Sequence, residues 1–186
     1  MLSLNFKYLW LVFAAGCMAC SAYGQIKPSL AIDFKKGFDG IGSDGRTVPA
    51  RIEGKPELVE GKFGKALKSG PGLGYIHFPS DGILSSEEGT VEMWVCPVDW
   101  QEGAKEEDKH FHIFFESMGN GRLMLYRHLE GGTKMFCLES NADGAATSAG
   151  ECMTPTWSPG KWHHLAGVWS SVETCFYVDG KLAARS

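Results

Sequence analysis

Short apolar runs recur about every ten residues, each closed by glycine, proline or aspartate, and this sets the tightest limit on what the chain can fold into. The run GTVEMWVCP at residues 89–97 is the clearest. Side chains on a strand alternate faces, so Val91, Met93 and Val95 share one face and Glu92, Trp94 and Cys96 the other. Residues 30–34, 50–53, 57–59, 74–78, 111–116, 121–128, 133–139, 162–170 and 174–183 read as further extended segments. Residues 35–47, 70–74, 101–109 and 141–150 read as loops or turns. No stretch long enough for a globular helix carries a clean helical apolar period. The pattern predicts an all-β antiparallel sandwich or jelly roll. Glycine, 24 of 186 residues, stands at nearly twice the usual ~7% and is scattered among the expected turns.

The first 24 residues read as an export leader. Lys7 supplies the positive head, residues 8–15 are an unbroken apolar run, and Ala22 and Gly24 are the small residues before Gln25. The apolar stretch is shorter than the ~18–20 residues that span a membrane. A lipoprotein signal acylated on Cys17 or Cys20 fits less well, because Ala14 and Cys17 stand where an aliphatic residue is wanted. Residues 25–186 are then the exported domain. Removing Lys7 leaves 17 basic and 22 acidic residues, a net charge of −5. That balance offers no basic footprint for nucleic acid.

Four motifs in order resemble the laminin-G-like jelly roll of the concanavalin A-like lectin/glucanase superfamily. They are GKFGKAL at 61–67, GTVEMWV with Pro97, GKWHHLAGVW at 160–169, and YVDGKL at 177–182. The resemblance implies two antiparallel sheets packed face to face, one of them concave. Within the motifs, Gly64 permits a tight bend, Trp162 and Trp169 are large apolar side chains at strand positions, and Asp179-Gly180 is a hairpin turn. Family members continue for about three strands past the YVDGK hairpin, so the resemblance leads us to expect a domain incomplete at its C-terminus.

Four cysteines follow the leader, an even number in an oxidising compartment. A turn centred on Asp143 to Ala146 would set Cys137 opposite Cys152, within disulfide reach. That pairing leaves Cys96 with Cys175, buried free thiols being the alternative.

Jelly-roll glycosidases hold two carboxylates close together on one strand, in an E-x-D-x-E pattern. No such pattern occurs here, and no G-x-S-x-G or HExxH either, so the expectation is a protein that is not an enzyme. Gly40 to Gly45 matches G-x-G-x-x-G, but Pro49 closely follows and no helix can open there. His110, His112 and His128 could share a metal, whereas His163-His164 look structural. The resemblance implies a calcium rim site, with Asp39 and Asp44 as the candidates. It also implies glycan binding through aromatic faces, with Trp100, Tyr126 and Trp157 as the candidates.

The expected function is therefore a secreted, non-catalytic recognition or adhesion module whose partner is a glycan or an extracellular protein. Two alternatives are the N-terminal module of a secreted glycan-active hydrolase and a structural stalk domain.

Overall fold

The alternation in the strongest run carries directly into three dimensions. Val91, Met93 and Val95 are buried, while Glu92 is exposed and Trp94 half-buried. The computed structural model describes residues 2–4, 9–11, 27–70, 72–98, 112–119, 121–130, 133–142, 145–153 and 157–186. Among them are seventeen strands and no helix. In chain order these are β1 (Leu2–Leu4), β2 (Leu9–Leu11), β3 (Leu30–Ala31), β4 (Gly40–Gly42), β5 (Thr47–Val48) and β6 (Arg51–Glu53). They continue with β7 (Glu57–Gly61), β8 (Gly64–Ser69), β9 (Tyr75–Phe78), β10 (Gly89–Val95), β11 (His112–Gly119) and β12 (Gly121–Glu130). The last are β13 (Thr133–Ala142), β14 (Ala145–Met153), β15 (His163–Trp169), β16 (Thr174–Val178) and β17 (Lys181–Arg185).

A seven-stranded sheet runs β14-β13-β12-β11-β1-β9-β6, and a four-stranded sheet runs β10-β15-β16-β17. Two three-stranded sheets, β2-β8-β7 and β3-β4-β5, complete the described strands. Every pairing is antiparallel. One apolar cluster joins the two larger sheets. Ile76, Phe78, Phe114, Phe115, Leu123 and Leu125 come from the seven-stranded sheet, and Val91, Met93, Val95, Leu165, Trp169 and Phe176 from the four-stranded one. Such burial is the main favourable term in folding, at about 25 cal/mol per Å² of apolar surface.

The hairpin turns follow their sequence. Val178 pairs with Lys181 across Asp179 and Gly180, whose φ values are +50° and +75°. Both lie in the left-handed region that a two-residue Asp-Gly hairpin requires. The Gly40 to Gly45 run is not a plain loop, as expected, but a small hairpin. Gly40 pairs with Val48, and the Gly42 amide donates to the Arg46 carbonyl at 2.8 Å. Glycines are poor strand formers by composition, and it is pairing with both neighbouring strands that makes these extended.

Strands β1 and β2 both lie within the segment read as an export leader. β1 sits in the middle of the seven-stranded sheet, with Leu2 and Leu4 opposite Phe78 and Ile76 of β9. Leu2 and Ser3 also stand opposite Ser117 and Glu116 of β11.

The cysteines do not follow the expected plan. Cys96 and Cys175 are both free and buried. β15 separates them, and Val95 pairs with His163 while Cys175 pairs with Val168. At ~3.3 Å per residue this offset alone exceeds about 15 Å, beyond the ~7 Å that a disulfide tolerates. The turn between β13 and β14 joins Ala142 to Ala145, and a bulge follows Cys137. Phe136, not Cys137, therefore stands opposite Cys152, so the direct facing expected of Cys137 and Cys152 is not formed. Burial pushes the Cys96 thiol up, against a smaller lowering by the Gly160 backbone. Cys96 and Cys175 are thus expected to react with a thiol reagent only after denaturation. Recovery of a disulfide-linked 96–175 peptide from the native protein would refute this.

Candidate functional site

Strand alternation in Tyr75-Ile76-His77-Phe78 divides the seven-stranded sheet into two faces. Ile76 and Phe78 enter the core, so Tyr75 and His77 point the other way. Direct partners across an antiparallel ladder share a face. Arg51 pairs with His77 and Glu53 with Tyr75, which brings both β6 side chains to this non-core face. Register continues it through Ser3 to Glu116 of β11, then to Met124 of β12. Tyr126, two residues along from Met124, lies on the same side. The result is a row of polar and aromatic groups, interrupted by the buried Met124, on the side of the sheet away from the core.

His77 is the most constrained member. It is 7% exposed, and neither ring nitrogen has a hydrogen-bond partner among the described residues. Glu53 Oε2 lies 3.3 Å from Nε2, in ion-pair range but out of line for a hydrogen bond. The same Glu53 oxygen is 3.8 Å from the Arg51 guanidinium. The Tyr75 and His77 rings are tilted, with centroids 6.3 Å apart. Beside them a groove is lined by Pro49, Arg51, His77, Phe78, Pro79, Ser80 and Asp81. Burying a polar group with no partner costs about 1–3 kcal/mol, and such groups in native proteins call for an explanation.

A second cluster occupies the outer side of the four-stranded sheet. Trp94 pairs with His164 across the ladder, with ring centroids 5.1 Å apart. Phe63, exposed in the β7–β8 turn, meets Trp94 edge-on at 5.6 Å. The Lys62 ammonium lies over the Trp94 ring at 4.3 Å. His164 Nε2 is 3.5 Å from Glu92, whose carboxyl is held below the usual range first by that hydrogen bond, against burial. Lys62, Phe63 and His164 pack around Trp94, so this cluster is a self-contained surface packing.

Trp157, one of the expected ligand aromatics, is a core residue at 5% exposure. It stacks on His163 at 4.0 Å, with the rings 12° from parallel. His163 Nδ1 lies 2.8 Å from Asp179 Oδ2, and Asp179 Oδ1 accepts the His164 amide at 2.9 Å. A carboxylate only accepts, so Nδ1 carries the proton. Asp179 therefore ties the β16–β17 turn to the start of β15 through both histidines, while His163 Nε2 is buried with no hydrogen-bond partner among the described residues. Trp100 lies outside the described residues, as do His110 and the side chains of His112 and His128. Of the three expected aromatics, Tyr126 alone is placed by the structure on a candidate face.

Asp44 is engaged within its own turn, and Asp39 bonds across the base of the β4–β5 hairpin. Asp39 Oδ1 accepts the Ala50 amide at 2.9 Å, and Asp44 Oδ1 accepts the Arg46 amide at 2.9 Å. The Arg46 guanidinium lies 3.5 Å from Asp44 Oδ2, a cation where a metal would have to come. Among the described residues no three His, Cys, Asp or Glu side chains are grouped to hold a metal. The two aspartates do not fit a calcium cage in this arrangement.

Sequence reasoning missed Arg51, Glu53, Tyr75 and His77. The signal was present, since polar and apolar residues alternate through 75–78, but pairing of residues 51–53 with this strand cannot be read from either segment alone.

Two packed antiparallel sheets with one polar, aromatic face define a β-sandwich of the lectin type. The laminin-G profile of the concanavalin A-like lectin/glucanase superfamily matches residues 71–186, and the chain belongs to that family. No curated protein and no solved structure matched. No helix among the described residues is long and apolar enough to cross a membrane.

Proposed function

We propose that the protein is a secreted, non-catalytic recognition module that binds a carbohydrate on the non-core face of its seven-stranded sheet. The observation that carries this reading is His77, buried on that face with neither ring nitrogen hydrogen-bonded among the described residues and only Glu53 within ion-pair range. Both nitrogens are shielded, so a ligand reaches them when the exposed Glu53 side chain swings aside; a sugar hydroxyl donates and accepts, and then satisfies an imidazole in either tautomer. Tyr75 and Tyr126 add aromatic surface with polar tips, suited to the mixed apolar and hydroxylated faces of a sugar ring. The row from β9 to β12 crosses three strand spacings, ~14 Å, the span of a short oligosaccharide.

The absence of an E-x-D-x-E run from the sequence supports binding over hydrolysis. The leader pattern at residues 1–24 supports export, which agrees with the extracellular setting usual for this family.

Titration calorimetry against a glycan panel tests the reading. The intact protein is expected to bind at least one glycan, with His77→Ala and Tyr126→Ala each weakening it about tenfold, the loss of one hydrogen bond or stacking contact. His164→Ala, on the other sheet, is expected to leave affinity unchanged. No binding by the intact protein, or equal affinity of His77→Ala, would overturn it.

A further inference from the structure

The sequence holds five Asp-Gly pairs, at residues 39–40, 44–45, 81–82, 143–144 and 179–180. Such a pair can close into a ring, because glycine has no Cβ to shield its amide nitrogen from the preceding carboxyl group. Closure needs a free carboxyl, a free amide and a backbone able to rotate between them. Structure removes these conditions at three of the pairs. Asp39 Oδ1 accepts the Ala50 amide at 2.9 Å, and Gly40 is buried in β4, paired with Val48. Asp44 Oδ1 accepts the Arg46 amide at 2.9 Å, and the Gly45 amide donates to the Gly42 carbonyl at 2.9 Å. Both oxygens of Asp179 are taken, one by the His163 ring and one by the His164 amide. The pair at 143–144 lies outside the described residues.

Asp81-Gly82 differs on each count. The two residues are the exposed centre of a turn closed by the Ile83 amide, which donates to the Ser80 carbonyl at 3.0 Å. Gly82 has φ of +73°, as the second central residue of a type II turn does. Nothing lies within 4 Å of its Cβ position. Neither the Asp81 carboxylate nor the Gly82 amide has a partner among the described residues. We infer that the fold singles out Asp81 as a site of spontaneous isomerisation to isoaspartate. The Gly82 nitrogen attacks Asp81 Cγ, a C–N bond forms, and the carboxyl C–O bond breaks. The carboxyl hydroxyl leaves with the amide proton as water, and a succinimide ring remains. Water then adds to one imide carbonyl. Opening at Cγ restores aspartate. Opening at the α-carbonyl leaves the chain running through Cβ and Cγ, with the α-carboxylate as the side group. One water leaves and one returns, so mass and charge are unchanged. The extra backbone atom falls in the wall of the groove beside His77, which Asp81 lines with Pro49 and Arg51. The modification stands whether or not that groove holds a saccharide.

Peptide mapping of the full chain by mass spectrometry, with fragmentation that separates isoaspartate from aspartate, tests this. The folded protein is incubated warm in a mildly acidic buffer, which supplies the carboxyl proton. Isoaspartate at position 81 is expected to exceed that at 39, 44 and 179 by about tenfold, the difference between a free turn and a held backbone. In denaturant the four positions are expected to react alike. Asp81→Glu is expected to give no isomer at 81, because its ring would need one more atom. Isoaspartate at 39, 44 or 179 equal to or above that at 81 in the folded protein would overturn the inference. The same preference for 81 in denaturant would overturn it as well, because local sequence and not the fold would then be the cause. A signal that persists in Asp81→Glu would place the isomer at another residue and likewise refute it.

Discussion

Phe176→Ala is expected to destabilise the protein by about 3–5 kcal/mol, the upper range for truncating a buried aromatic. Phe176 is fully buried in β16. Its ladder partners are Gly167 on one side and Ala184 on the other. Neither has a side chain that can swing into the space a phenyl ring leaves. The cavity therefore persists, and the penalty includes lost contacts as well as lost transfer energy. At about 2–4 °C per kcal/mol for a chain of this size, the melting midpoint should fall by roughly 10–15 °C. A thermal melt followed by circular dichroism reads this directly. A fall of less than about 3 °C would show that the region around Phe176 repacks.

Gly74→Ala is expected to act on both stability and the candidate site. A Cβ at position 74 would lie 2.2 Å from the Glu53 carbonyl oxygen and 2.6 Å from the Lys55 amide nitrogen. These are backbone atoms, so no side-chain rotation relieves the clash. The β6–β7 connection must move away from the start of β9. That loosens the pairing of Glu53 with Tyr75 and shifts Glu53 from its place 3.3 Å from His77. Overpacking of this kind costs about 1–3 kcal/mol, and rigid backbone on the far side places it at the upper end. Gly72→Ala is the matched control. Gly72 has φ of +78°, but nothing lies within 4 Å of its Cβ position. Its cost is backbone strain alone, about 1 kcal/mol. Thermal melts of the two variants, with the His77 ring resonances observed by NMR, separate the effects. Equal melting midpoints with unmoved His77 resonances would refute the close-approach account.

Much of the fold is legible in short segments of the chain. The alternation in residues 89–95 sets which side chains enter the core, because a strand's period of two leaves no other choice once one face is buried. The Asp179-Gly180 turn is legible for the same local reason, since Gly tolerates φ above zero freely and Asp tolerates it better than most. The strand at Gly40–Gly42 was not legible. Its extended form comes from hydrogen bonds on both sides, supplied by residues 30–31 and 47–48. Nor was the role of Trp157, whose surroundings of Pro, Ser and Thr suggest an exposed loop. The His163 ring, held by Asp179 more than twenty residues away, is what receives it in the core.

The candidate site divides along the same line. Tyr126 could be chosen from the sequence because an aromatic residue on an alternating strand must face one side or the other. Arg51, Glu53 and His77 could not, because their proximity depends on β6 pairing with β9 in one particular register.

The sequence by itself therefore determined the all-β class, the position of most strands and turns, and the inward or outward sense of each strong strand. These are consequences of backbone stereochemistry and side-chain period, which act over a few residues. Tertiary structure alone decided which strands are neighbours. That choice keeps Cys96 and Cys175 apart as free thiols, makes Trp157 a core residue and ties Asp39 to Ala50. It also assembles a polar row around His77. Each of these depends on contacts between distant segments, whose energy is set by packing and register and not by any stretch of residues read alone.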